Sequence, residues 1–172
     1  QYSESGRSGC RDGQERVPLD AALGRVLAAP VVSRIDVPGW DNSAMDGYAV
    51  RSADLAGEAP RLRVAQRIAA GAAGVVVAPG TAARIFTGAP LPPGADTVVM
   101  QEACERDGDA VVIRQVPRAG ANVRRAGEDI QACTPVIAAG TRLGPAHLGL
   151  AASVGVPELE VRARPRVALF CS

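Results

Sequence analysis

Val37-Pro-Gly-Trp-Asp-Asn-Ser-Ala-Met-Asp-Gly-Tyr-Ala-Val50 packs two carboxylates, an amide and a hydroxyl between a Pro-Gly turn and a strand-like run at 48–51. No helical period crosses it. Working outward on the C-terminal side, strand-like runs recur at 75–78, 83–86, 97–101 and 110–114, separated by turns rich in Gly, Pro and Asp. Asp107-Gly108-Asp109 is a hairpin signal. Residues 38–129 therefore read as a compact β domain.

The flanks read differently. Over 18–29, Leu19, Leu23, Val26 and Leu27 recur at helical spacing, Pro18 suits a first turn and Pro30 halts propagation, which predicts an amphipathic helix. Beyond Asp129, residues 135–138 and 158–162 read as strands around a helix at about 145–154, with Pro145 early and Gly155 placed to end it. The flanks resemble each other more than the middle. They predict a discontinuous helix-plus-strand domain, 17–37 with 130–164, into which the β domain is inserted. The fold class is α+β, mostly β. The polar, Gly/Ser-rich opening predicts a disordered tail over 1–16. Residues 165–172 carry an apolar run, Val167 to Cys171, of the kind found in buried parallel strands, and predict the first strand of a truncated α/β domain.

Composition narrows the function classes. At 172 residues and 47% hydrophobic content the chain is able to bury a core. Nineteen basic against eighteen acidic residues give a net charge of +1, too weak a field to argue for nucleic acid or a membrane surface as partner. Cys10, Cys104, Cys133 and Cys171 are widely spaced, with no C-x-x-C pair, which predicts reduced thiols in a cytoplasmic protein. No apolar run reaches the ~18–20 residues of a membrane span.

Three clusters carry chemistry. In the first, Asp41 and Asp46 offer hard oxygen donors for Mg²⁺ beside a phosphorylated ligand. Asp41, Asn42 and Ser43 are equally good turn and cap formers, Asp46-Gly47 is an ordinary turn signal, and Trp40 reads as a packing anchor. The second, TGAPLPPGAD (87–96), is a stiff loop whose free amides and Thr87 hydroxyl suit an anion, or which is simply a rigid connection. In the third, NVRRAGEDI (122–130), Arg124 and Arg125 stand near Glu128 and Asp129, either as phosphate-binding forks or as a solvated ion-pair network. His147, the single histidine, reads as helix surface or packing.

In identity and order, DVPGWDNSAMDGYAV (36–50), IFTGAPLPPGADTVVMQE (85–102) and NVRRAGEDI (122–130) resemble the molybdopterin molybdenumtransferase family of MoeA and gephyrin type. The likeness runs from about Val17 to Phe170. It implies the two-domain fold of the MoeA N-terminal region and insertion of molybdate into adenylylated molybdopterin, assisted by Mg²⁺, with release of AMP. It further implies that Asp46 and Asp129 are functional acids, Asp46 also a metal ligand, and Thr87 the hydroxyl facing the reaction cleft. Gly88, Arg124 and Arg125 are implied as substrate or anion contacts, with Asp41 only a turn former. Family members are homodimers in which this β domain faces the α/β domain of the other subunit. The family's helix ahead of Val17 and its Gly-rich pterin-holding segments have no counterpart here, so this polypeptide alone is expected to be inactive. The alternative is a non-catalytic dimerisation or scaffold module of gephyrin type.

Overall fold

A computed structural model describes residues 13–165 and 167–171. Most of the expected tail, residues 1–12, lies outside the described residues; its end does not behave as a tail, because the chain is a strand from Gln14. In chain order the strands are β1 (Gln14–Pro18), β2 (Val31–Val32), β3 (Asn42–Ser43), β4 (Gly47–Val50), β5 (Arg61–Ile68) and β6 (Thr81–Ile85). They continue as β7 (Thr97–Met100), β8 (Cys104–Asp107), β9 (Ala110–Ile113), β10 (Val123–Arg124), β11 (Pro135–Ile137) and β12 (Glu158–Arg162), with the helix α1 (Pro145–Ser153) between the last two. Two compact units result: residues 37–129, and the described residues of 13–36 together with those of 130–171.

The unit at 37–129 is organised by a six-stranded sheet in the order β7-β4-β6-β5-β9-β8, in which β5 and β6 run parallel and every other neighbour is antiparallel. Alternation along β4 sends Tyr48 and Val50 to one face and Ala49 to the other, and both faces are covered. One core gathers Tyr48, Val50, Leu62, Val99, Val111 and Ile113. The other gathers Ala49, Ile68, Val77, Ile85 and Val98. Each fully buried aliphatic side chain contributes on the order of 1.5–3 kcal/mol. The Asp107-Gly108-Asp109 signal is realised: Asp107 pairs with Ala110, leaving Gly108 (φ +63°) and Asp109 as the β8–β9 loop.

The predicted strand at 75–78 does not form. Its backbone is instead held from the side: Val75 N–H donates to Gln66 Oε1 (2.9 Å), Gln66 Nε2 donates to Val75 O (2.7 Å), and Val77 N–H donates to Pro93 O. One amide side chain makes the paired bonds a neighbouring strand would make. Conversely β5, the longest strand, was not expected from the sequence.

In the unit formed by 1–36 and 130–172, β1 pairs antiparallel with β12 from Gln14↔Arg162 to Pro18↔Glu158, and β2 pairs with β11. The helix predicted over 18–29 is replaced by a 3-10 turn, Leu19–Ala21, followed by extended chain. Gly24 sits at φ +74° and breaks any helical run, and the backbone polar groups beyond it go to other segments. Leu27 N–H donates to Thr141 O, Ala28 N–H to Glu160 O, and Arg162 N–H to Val26 O. Only Ala22 and Leu27 of that stretch are buried, while Leu23 and Val26 are exposed. The second predicted helix forms as α1. His147 Nδ1 accepts the Gly144 N–H at 3.0 Å and caps its start, and Gly155 at φ +77° ends it. The strand predicted at Val167 to Cys171 is absent: Val167, Leu169 and Phe170 are 76%, 89% and 94% exposed, because no described strand pairs with them. Among the described residues no helix is long and apolar enough to cross a membrane.

Candidate functional site

The two residues of β3, Asn42 and Ser43, organise the candidate site, because each edge of β3 holds one of the other two clusters. On one edge Ser43 N–H donates to Ala89 O (3.0 Å), Gly88 N–H donates to Ser43 O (2.8 Å), and Asn42 bridges to Pro90. On the other, β10 pairs Val123 with Ser43 and Arg124 with Asn42. Both β3 residues are buried. Ser43 Oγ then donates to Met45 O (2.5 Å) and accepts the Met45 N–H (3.3 Å), turning the chain toward Asp46.

Asp46 and Thr87 are brought into direct contact. Asp46 Oδ1 accepts both the Thr87 N–H and the Thr87 hydroxyl, each at 2.8 Å. The Thr87 N–H foremost, and then its hydroxyl, hold the Asp46 carboxyl below the usual carboxylate range, so it is ionised at neutral pH. Oδ2 takes no hydrogen bond among the described residues. A single hard oxygen of this kind matches the habit of Mg²⁺, which takes one or two carboxylates and completes its shell with water and substrate phosphate. No group of three or more His, Cys, Asp or Glu able to hold a metal occurs among the described residues.

Gly47 is not a turn residue. It is the first residue of β4, and a Cβ there would stand 2.0 Å from Val99 O. Trp40 is 58% exposed, so it is no packing anchor.

Most amides of the TGAPLPPGAD loop are already spent. Besides those of Thr87 and Gly88, the N–H of Ala89 donates to Phe86 O, that of Leu91 to Asp41 O and that of Ala95 to Pro92 O. The expected anion cradle of free amides is thus absent at these positions, and what Gly88 supplies is a turn at φ +79°. Asp96, at the end of the loop, accepts from Ser52 N–H, Ser52 Oγ and Thr97 Oγ1. Burial raises its pKa, but those bonds outweigh it and the net shift is downward.

The third cluster is also internally paired. Arg124 Nη2 bonds Asp129 Oδ2 at 2.5 Å, and Arg125 Nη1 bonds Asp41 Oδ2 at 2.5 Å. Asp41 Oδ1 further accepts the Ala126 N–H (2.8 Å), so Asp41 is more than a turn former: it ties the first cluster to the third. The Ala126 N–H, ahead of Arg125, lowers its pKa. These ion pairs are solvent-accessible, 36–54% by side chain, and each contributes only about 0–1 kcal/mol. Their arginines remain available to exchange a carboxylate for a ligand anion. Burial pushes the Cys104 thiol up to about 11.

A pH dependence follows. Asp41, Asp46 and Asp96 all have folded pKa values below the ordinary ~3.9, so the stability they give is fully present above that value and is lost as pH falls through the folded values. The thermal midpoint should be level from pH 7 to about 5 and drop below about pH 4. Asp96→Asn should make that acid drop shallower in differential scanning calorimetry; an identical acid limb would contradict the assignment.

Residues 4–155 match the family described as MoeA N-terminal region (domain I and II). The chain belongs to that family. This MoeA N-terminal region is 48% identical over 156 residues to molybdopterin molybdenumtransferase 2 of Mycobacterium tuberculosis, covering 88% of the chain and 38% of that protein. It is 46% identical over 161 residues to the molybdopterin molybdenumtransferase of a Nostoc species, covering 91% and 37%. The crystal structure of the molybdopterin biosynthesis moeA protein from Pyrococcus horikoshii OT3 superposes with a TM-score of 0.82 at 35% identity, over 88% of this chain and 41% of that one. The MoeA N-terminal region seen here thus spans about two-fifths of these relatives.

Proposed function

We propose that this chain supplies one wall of a site at which molybdate, as substrate, is inserted into adenylylated molybdopterin with release of AMP. The reading rests on the family and on one observation, the threading of β3 between the Thr87–Pro90 turn and β10, which gathers the three motifs. The work falls to the chain's own residues. Thr87 holds the Asp46 carboxylate ionised and fixed in direction. Asp46 Oδ2 would hold Mg²⁺, which would supply neutralisation of charge at the phosphoanhydride. Arg124 and Arg125 offer forked donors to an anionic group, leaving Asp129 and Asp41 when they do so. Positioning and charge stabilisation of this sort carry most phosphoryl chemistry.

A homodimer is part of the proposal, with the α/β domain of a second subunit as the opposite wall. A cytoplasmic setting accords with the free thiols of Cys104, Cys133 and Cys171.

The test is molybdate-dependent AMP release by a chimera in which this chain replaces the matching segment of the M. tuberculosis relative. Thr87→Val should slow release at least about fivefold, and Thr87→Ser should retain it, since only the former removes the hydroxyl that orients Asp46. Equal rates for all three proteins would refute the role of the Asp46–Thr87 contact.

A further inference from the structure

An arginine-rich cleft of about 480 Å³ opens on the six-stranded sheet, lined by Tyr48, Arg67, Arg84, Phe86, Arg106 and Asp109 among others. The sheet register creates it. Tyr48 pairs with Arg84 across β4–β6, and Arg84 pairs with Arg67 across β6–β5, so the three residues form one row over adjacent strands. Two like charges side by side on neighbouring strands are ordinarily destabilising. Here both guanidinium groups lie against one ring, with Arg67 Cζ 4.8 Å and Arg84 Cζ 4.6 Å from the Phe86 centroid; Arg84 is also 5.3 Å from that of Tyr48.

The arginines divide the labour. Arg84 is anchored, donating to Gly47 O (2.8 Å), Ile85 O (3.3 Å) and Gln101 Oε1 (2.6 Å). Arg67 donates no side-chain hydrogen bond and joins no ion pair among the described residues, and Arg106 uses only Nε, toward Gly108 O (3.3 Å). Contact through a guanidinium's flat face leaves its in-plane N–H donors pointing outward. Against these three positive charges the lining offers one carboxylate, Asp109.

We propose that this cleft binds the phosphoryl group of a small phosphorylated molecule, with Arg67 and Arg106 as the two ligand arms and Arg84 as the fixed charge beside Arg67. The chemistry is that of planar, multidentate donors converging on an oxyanion in a concave, carboxylate-poor surface. The cleft adjoins the Asp46–Thr87 pair, since Arg84 donates to Gly47 O and, after the Thr87 hydrogen bonds, its charge helps lower the Asp46 pKa, but the inference does not depend on molybdenum chemistry.

The test is calorimetric titration of the chain with inorganic pyrophosphate at low salt. Saturable binding is expected, weakened at least about tenfold by Arg67→Gln and by Arg106→Gln. Arg118→Gln, which removes an arginine outside the cleft, should leave the affinity unchanged. Among the described residues neither arm joins an ion pair, and their only side-chain ring or hydrogen-bond contacts are the Phe86 ring for Arg67 and Gly108 O for Arg106, so the variants should melt close to the wild type. No saturable heat up to about 5 mM pyrophosphate, a constant too weak to mark a built site, would overturn the proposal. So would an Arg118→Gln loss as large as that of the two arms, or wild-type affinity in both arm variants.

Discussion

Adding a single methyl group at Gly47 should cost about 3 kcal/mol, lowering the thermal midpoint by roughly 10 °C. The added Cβ would lie 2.0 Å from Val99 O, 2.9 Å from Val99 C and 3.1 Å from Met100 Cα, all of them backbone atoms of β7. Backbone in a paired strand cannot rotate away as a side chain does. Relief therefore requires parting β4 from β7, which loses the Gly47↔Met100 and Tyr48↔Val99 pairing. β4 is an interior strand of its sheet, and its displacement would disturb the cores around Val50 and Ala49 as well. Gly108→Ala is the control. It meets nothing within 4 Å but must hold φ +63°, so it should lose only about 1 kcal/mol. Thermal melts of both variants check this, and a Gly47→Ala midpoint within about 2 °C of wild type would show that β7 yields freely.

Gly47 also shows why part of the site escaped the sequence. Asp-Gly before a Tyr is a strong turn signal, yet glycine is required here for want of space rather than for a positive φ. That requirement is set by β7, some fifty residues away in the chain, and leaves no local mark. The same limit hid the gathering of the motifs on β3, a strand of two residues whose partners lie at 88–90 and 123–124. Residue identities marked the clusters, but which loop met which was a tertiary fact.

Local chemistry served better where it governed alone. Pro145 and Gly155 bracket α1, and strict alternation at 158–162 gives β12. At 18–29 the apolar spacing was real but Gly24 was the stronger signal, and backbone pairing with 141–143 and 160–162 outweighed the period. β5 breaks simple alternation: Leu62 and Ile68 are both buried at even positions but belong to different cores, because the register shifts between Val64 and Gln66. Of its three arginines, Arg67 lines the cleft.

The second large effect is expected at Asp46. Its Oδ1 accepts both Thr87 donors, and an asparagine Oδ1 can accept the same pair, so Asp46→Asn should leave folding nearly intact. What disappears is the negative charge and the carboxylate oxygen that would hold Mg²⁺ in the proposed site. Loss of an interaction that orders a cation beside developing charge raises a barrier by more than about 1.4 kcal/mol, or tenfold in rate. Molybdate-dependent AMP release, measured on the chimera carrying residues of this chain with Asp46 or Asp46→Asn, tests the account most directly. The account predicts equal melting temperatures and a rate at least about tenfold lower for the asparagine variant. Undiminished AMP release from that variant would contradict it.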